Sequence, residues 1–150
     1  MNRRQRLANP LRNPVASAII KSRIVADLRS LQTDAMLHAM IGANDGKLID
    51  NAGRLAFITA DSARACKLPD EAPDMRIVAG MAHALADLAN GTGNAELHRL
   101  AIQSGLGACE RLLAQCSPWA IGTAAIKVDE LINSPHGLTL FDITQPKATA

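Results

Sequence analysis

The sequence predicts an all-α fold: a single-domain bundle of about five helices, with an extended basic N-terminal arm before it and a short extended C-terminal tail after it. Three observations carry that expectation. Aromatic residues make up only 2% of the chain, with no Tyr, while Ala occurs 27 times. Such a composition suits helices that approach closely and offers little to a β-sheet, which favours aromatic and β-branched residues. Turn-forming residues cluster at a few points, and between those points apolar residues recur at three- and four-residue spacings. With 150 residues, 48% hydrophobic and 20% charged, the chain fits one domain able to bury a core.

The elements follow in order. Residues 1–13 read as an arm containing Leu-Ala-Asn-Pro and Leu-Arg-Asn-Pro in tandem; Asn-Pro pairs favour turns. The second pair supplies a helix start, Asn13 as cap and Pro14 at the first helical position. From Val15 to about Ile41 no Pro or Gly intervenes, and Ile24, Leu28, Leu31, Ala35 and His38 form a seam. Gly42 to Gly46 is a turn. A second helix is expected over 47–67, with Leu48, Ala52, Leu55, Thr59, Ser62 and Cys66 on one line. Two prolines break the chain over 68–74.

A third helix is expected from Pro73 to Asn90, buried along Val78, Met81, Leu85 and Leu88, with Gly91 just past its end. Asn94 caps a fourth, over 95–115. It carries two apolar lines, Leu97–Ala101–Ala108–Leu112 and Ile102–Leu106–Cys109–Leu113–Cys116, which predicts a central position. Ser117-Pro118 opens a fifth helix ending at Ile132, with Ile121, Ala124, Ala125, Val128 and Leu131 on its buried face. The domain is thus expected over 14–133 and the tail over 134–150, where Leu138 to Ile143 alternates in character.

Charge is unevenly placed. Residues 1–30 carry Arg3, Arg4, Arg6, Arg12, Lys21, Arg23 and Arg29 against Asp27 alone, and the other 120 residues carry nine bases and thirteen acids. A basic arm on a mildly acidic body suits a polyanion or an acidic protein surface. No apolar run reaches the about 18 residues a membrane helix requires. The first residues have arginines but no apolar stretch of secretory type, and their two prolines oppose an amphipathic transit helix. Three cysteines without paired spacing point to reduced thiols and a cytoplasmic setting.

Candidate chemistry is sparse. Asp34 and His38, and His83 and Asp87, stand four residues apart on their helices, a spacing that sets both side chains of each pair on one face. Two such faces would supply four metal ligands. However, His38 belongs to the apolar seam, His83 and Asp87 fall outside the third helix's stripe, and no Glu-x-x-His motif is present. No metal or cofactor is therefore expected. Cys109 and Cys116 lie on a core stripe, and Cys66 is near a helix C-terminus, the wrong end to activate a thiol. No nucleophile elbow, phosphate loop or dinucleotide fingerprint occurs. A helix-turn-helix tried at Ala101 to Gly105 fails on its continuation, which offers one cation, Arg111. Gly105 reads instead as a close helix approach or a kink.

The sequence therefore points to a small non-enzymatic accessory or regulatory protein acting by protein–protein contact. Its expected partners are a second copy, a homodimer formed along Ile24, Leu28, Leu31, Ala35 and His38, and an acidic protein surface met by Arg3, Arg4, Arg6, Arg12, Lys21 and Arg23. Two readings stand beside it. In one, those cations bind the phosphate backbone of DNA or RNA. In the other, the chain is a metal-dependent bundle enzyme using Asp34, His38, His83 and Asp87.

Overall fold

Proline and cap chemistry begin the helices, and left-handed residues end most of them. The computed structural model describes residues 14–42 and 45–133 and contains five helices and no strand among them. Helix α1 runs Pro14–Ile41 and α2 runs Asp45–Ala65. Helices α3, Pro73–Asn90, α4, Ala95–Leu113, and α5, Pro118–Ile132, complete the bundle. Pro14, Pro73 and Pro118 each open a helix, where the missing N–H would have no intrahelical partner anyway. The Asn94 side chain accepts from the N–H groups of Glu96 and Leu97 at 3.0 and 3.2 Å, and Ser117 Oγ accepts from the Ala120 N–H at 3.2 Å. The arm and the tail lie outside the described residues, as does the Asn13 cap.

Helix α3 ends as expected. Gly91 stands at φ 67°, its N–H bonding Leu88 O, while the Thr92 N–H returns to Asp87 O at 2.9 Å. Helix α2 ends the same way without a glycine. Lys67 takes φ 60°, its N–H bonds Arg64 O at 3.0 Å, and the Leu68 N–H bonds Ala63 O at 2.9 Å. Both are the double hydrogen-bonded stop that satisfies the last free carbonyls of a helix. Leu68 then packs against the core, the apolar contact that accompanies such a stop.

The central helix is α2, which contacts all four others, whereas α4 packs on α1, α2 and α3. Helix α4 is itself buried along both of its apolar lines, with Ile102, Leu106, Ala108, Cys109 and Leu112 in the main core and Leu113 against a second cluster. The breadth of the α2 contacts follows from side-chain size. Ala52, Gly53, Ala56, Ser62 and Ala63 are buried in α2, and such small residues admit neighbours from several directions. The first line of α4 meanwhile runs out into solvent at Leu97. The main core joins Ala35 of α1, Leu48 and Leu55 of α2, Met81 and Leu85 of α3, and Ile102 and Leu106 of α4. On the other side of α2, Phe57 and Ile58 meet Ala124 and Val128 of α5. Lys127 reinforces that contact, with Nζ 3.4 Å from Asp61 Oδ1 and 5.9 Å from the Phe57 ring centre.

Helix α4 runs unbroken through Gly105, so no helix-turn-helix bend exists there. Gly105 instead faces Met81 of α3, where the two helices meet without space for a side chain on the glycine.

Candidate interaction surface

Side chain-to-backbone bonds stitch α1 to α4 along antiparallel paths. Gln32 Nε2 donates to Leu106 O at 3.0 Å, and Gln103 Nε2 donates to Ala39 O at 3.4 Å. Beyond them, Arg99 holds Asp45 at the start of α2, Nη2 to Oδ2 at 3.2 Å and Nε to Oδ1 at 3.4 Å. The guanidinium lies directly under Gly42, whose left-handed turn (φ 69°) leads from α1 towards α2. The C-terminus of α1, the N-terminus of α2 and the N-terminus of α4 therefore form one fixed end of the bundle.

That end carries five of the large apolar side chains that are exposed among the described residues. On α1, Leu37, Met40 and Ile41 are 52%, 67% and 62% exposed, and on α4, Leu97 and Leu100 are 61% and 52% exposed. Leaving apolar groups of this size in water is unfavourable by about 25 cal/mol per Å², and clustered exposure of this kind marks contact surfaces.

No family model, no curated protein and no solved structure matches the chain. The surface must speak through its own geometry.

The proposed seam turns inward. Ala35 is fully buried, Leu28 and Leu31 pack against the core, and Ile24 and His38 are half-buried. The exposed apolar set lies on the opposite side of the same helix. Its signal was present: α1 bears apolar residues around its whole circumference, which a search for one seam passes over. His38 Nδ1 is buried with no hydrogen-bond partner among the described residues.

Of the cationic candidates, Arg3, Arg4, Arg6 and Arg12 lie outside the described residues, and Lys21 lies within α1. Arg23 and Arg29 are exposed on α1, and no ion pair engages either among the described residues. The metal candidates do not converge. Asp34 is exposed on α1, and His83 and Asp87 are exposed on α3. The Asp87 carboxylate accepts instead from Thr92 Oγ at 3.4 Å, and among the described residues no three His, Cys, Asp or Glu side chains are grouped to hold an ion.

Burial disfavours the thiolate form of Cys109 and Cys116. Burial pushes Cys109 up to about 12, with the Thr59 hydroxyl acting in the opposite direction. That hydroxyl approaches the sulfur without forming a well-directed hydrogen bond, which is why it remains orphaned in the core. Cys116 is pushed up to about 11, by burial first and then by its neighbour Cys66.

Two clefts flank α1. A cavity of about 350 Å³ is lined by Ile24, Leu28, Ile58 and Val128, with Arg54 and Asp129 among its polar groups. Arg54 Nε lies 3.3 Å from Asp50 Oδ2, yet its N–H is not directed at that oxygen. A second cleft of about 240 Å³ runs from Ile24 and Leu28 to Cys116 and Ile121. No helix among the described residues is long and apolar enough to cross a membrane.

Proposed function

We propose that this chain is a non-enzymatic accessory or regulatory module that works by protein contact, pairing with a second copy at its apolar end and meeting an acidic partner at its basic end. The observation that carries the reading is the exposure of Leu37, Met40, Ile41, Leu97 and Leu100 on one rigidly stitched end. A two-fold interface requires a patch complementary to itself, and an apolar patch meets that condition with no charge pattern to match. Helix α1 spaces the two ends: from Arg23 to Met40 the axis rises about 25 Å. An acidic partner held near Arg23, Arg29 and the arm therefore leaves the apolar end uncovered.

The second reading is backbone contact with nucleic acid, favoured by Arg23 and Arg29 standing exposed without carboxylate partners among the described residues.

Sedimentation of the full-length protein tests the pairing. Leu37→Asp with Met40→Asp is expected to convert a dimer to a monomer without lowering the melting temperature, because both side chains are exposed within one chain. A wild-type monomer across the accessible concentration range overturns it. Titration of labelled duplex and single-stranded DNA with full-length protein and with a version lacking residues 1–13 separates the two basic-end readings. A salt-steep affinity lost with the arm selects nucleic acid. No binding at low salt removes it.

A further inference from the structure

Helix α1 is clamped over one half of its length. In its C-terminal half Gln32 donates to Leu106 O, Ala39 O accepts from Gln103, and Ala35 and Ala39 sink into the core. Its N-terminal half lies over α5 and meets it far less closely than α3 meets α4. Unfilled space remains there. Ile24 and Leu28, both half-buried, stand between the two clefts, and the larger, of about 350 Å³, opens between α1, α2 and α5. That volume falls within the range of small-molecule sites. Its apolar lining includes Leu28 and Leu31 of α1, Ile58 of α2, and Ala125 and Val128 of α5. Its exposed edge carries Asp27 of α1 and Asp129 of α5, and no ion pair engages either among the described residues, not even Arg23 one turn before Asp27. Arg54 is the one cation among the lining residues, and Asp50 at 3.3 Å balances it.

We propose that this cleft binds a small amphipathic cation, an alkylammonium ion whose charge sits between Asp27 and Asp129 and whose chain lies on Leu28, Leu31, Ile58 and Val128. Two carboxylates without a counter-charge, set beside low-dielectric walls, attract a cation and repel an anion. Apolar side chains from three helices favour an alkyl chain that leaves water, and each methylene buried tightens binding about three- to fourfold. Neither feature suffices alone. The acids are exposed and screened, so they hold a bare cation only weakly. The open cleft takes a neutral chain without fixing its end. A molecule with both parts engages both sets of residues.

This site goes beyond the pairing of two copies and does not depend on it, because Asp27 lies about 20 Å along α1 from Met40. The ligand joins the N-terminal half of α1 to α2 and α5, so it binds the folded chain and not the unfolded one. It therefore raises the melting temperature as its concentration rises.

The test titrates full-length protein, labelled at its Ile, Leu and Val methyl groups, with butyl-, hexyl- and octylammonium, and with octanol and octanoate as controls. The expected result is saturable binding of one octylammonium per chain, with the largest shifts at Ile24, Leu28, Ile58 and Val128. Each lengthening by two methylenes tightens binding about tenfold. Octanol binds several-fold more weakly than octylammonium, and octanoate does not bind. Added salt weakens octylammonium and leaves octanol unchanged. Asp27→Asn and Asp129→Asn, both at exposed positions, each weaken octylammonium about two- to fivefold. Ala125→Phe fills the cleft and removes amine and alcohol alike; the two Asn variants decide the matter if that variant fails to fold. No saturable binding at low salt, octanol or octanoate binding as tightly as the amine, unchanged affinity in both Asn variants, or shifts centred on Leu37, Leu97 and Leu100 overturn the proposal. Nuclear Overhauser contacts from Leu7 or Leu11 to Val128 in the ligand-free protein overturn it too, since the chain's own arm then fills the cleft. Shifts at Ile58 and Val128 on dilution do the same, giving the cleft to a second copy.

Discussion

Gly105 of α4 and Met81 of α3 touch with no room between them: a Cβ built on the glycine would fall on the methionine side chain, 2.6 Å from Sδ and 2.8 Å from Cγ. Both residues are buried, and the contact reaches the stem of Met81 as well as its mobile end, so a rotamer change does not relieve it. Gly105→Ala improves helix propensity by about 1 kcal/mol. Overpacking a close-packed core costs about 1–3 kcal/mol in addition to any helix shift. The clash is expected to win, lowering stability by up to about 2 kcal/mol in urea unfolding. Met81→Ala added to Gly105→Ala opens the space again, so a double-mutant cycle should show favourable coupling between the two changes. Additive losses would show that the helices separate freely here.

Lys67 ends α2 in the left-handed region, at φ 60°, a place where an L side chain is strained and Gly is not. Both closing hydrogen bonds are backbone bonds and survive substitution. Lys67→Gly is therefore expected to raise stability by about 0.5–1 kcal/mol, the relief of strain exceeding the extra entropy of glycine in the unfolded chain. A lower denaturation midpoint would show that the Lys67 side chain contributes something that its backbone geometry does not reveal.

These two sites show where sequence reasoning reaches its limit. The close approach at Gly105 was legible, because a glycine inside a helical pattern has few other uses, but its partner was not. The ends of α3, α4 and α5 were legible for a local reason: Gly91, Asn94 and Ser117-Pro118 satisfy backbone groups within three or four residues of themselves. The end of α2 near Lys67 was legible from the prolines that follow it, but its left-handed stop was not, because Lys, unlike Gly, has no preference for that conformation. Global placement was less legible. Helix α2 looks less apolar than α4 because it carries Thr59, Ser62 and Gly53, yet small size, not hydropathy, admitted its four neighbours. In α1 the common face of Leu28, Leu31 and Ala35 could be read from spacing, but not that it turns into the bundle instead of towards a second copy, and which apolar residues remain uncovered depends on where α4 lies.

Asn94 is the cap of a helix whose first turn is otherwise exposed to water. Its side chain accepts from two N–H groups that no other residue satisfies, and Arg99 and Gln103 on the same helix hold the apolar end together. Asn94→Ala is expected to cost about 1 kcal/mol and to fray α4 from its start. Hydrogen exchange should then quicken at Glu96 and Leu97 first, while Leu106 and Cys109 stay protected. Equal acceleration along the whole helix would mean that α4 opens only with the entire bundle.

The contact between α3 and α4 has an electrostatic component that pH can switch. Arg111 grips Asp74 in a forked pair, Nη2 to Oδ1 at 2.9 Å and Nε to both carboxylate oxygens at 3.2 Å. The hydrogen bonds from Arg111 hold the Asp74 carboxyl below its ordinary value of 3.8, with a smaller contribution from the cation's charge and partial burial acting against both. A carboxyl lowered in the folded state adds stability that is fully present above 3.8 and is lost as pH falls through the folded value. The pair is open to solvent, so salt weakens it. Carbon-detected titration of Asp74 should give a midpoint below 3.8 in the wild type. In Arg111→Ala it should move back up towards that value, and the stability difference between the two proteins should shrink as the solution is acidified. If the wild-type midpoint already equals that of Arg111→Ala, the forked pair does not persist in solution and α3 and α4 are held by the Gly105–Met81 packing without it.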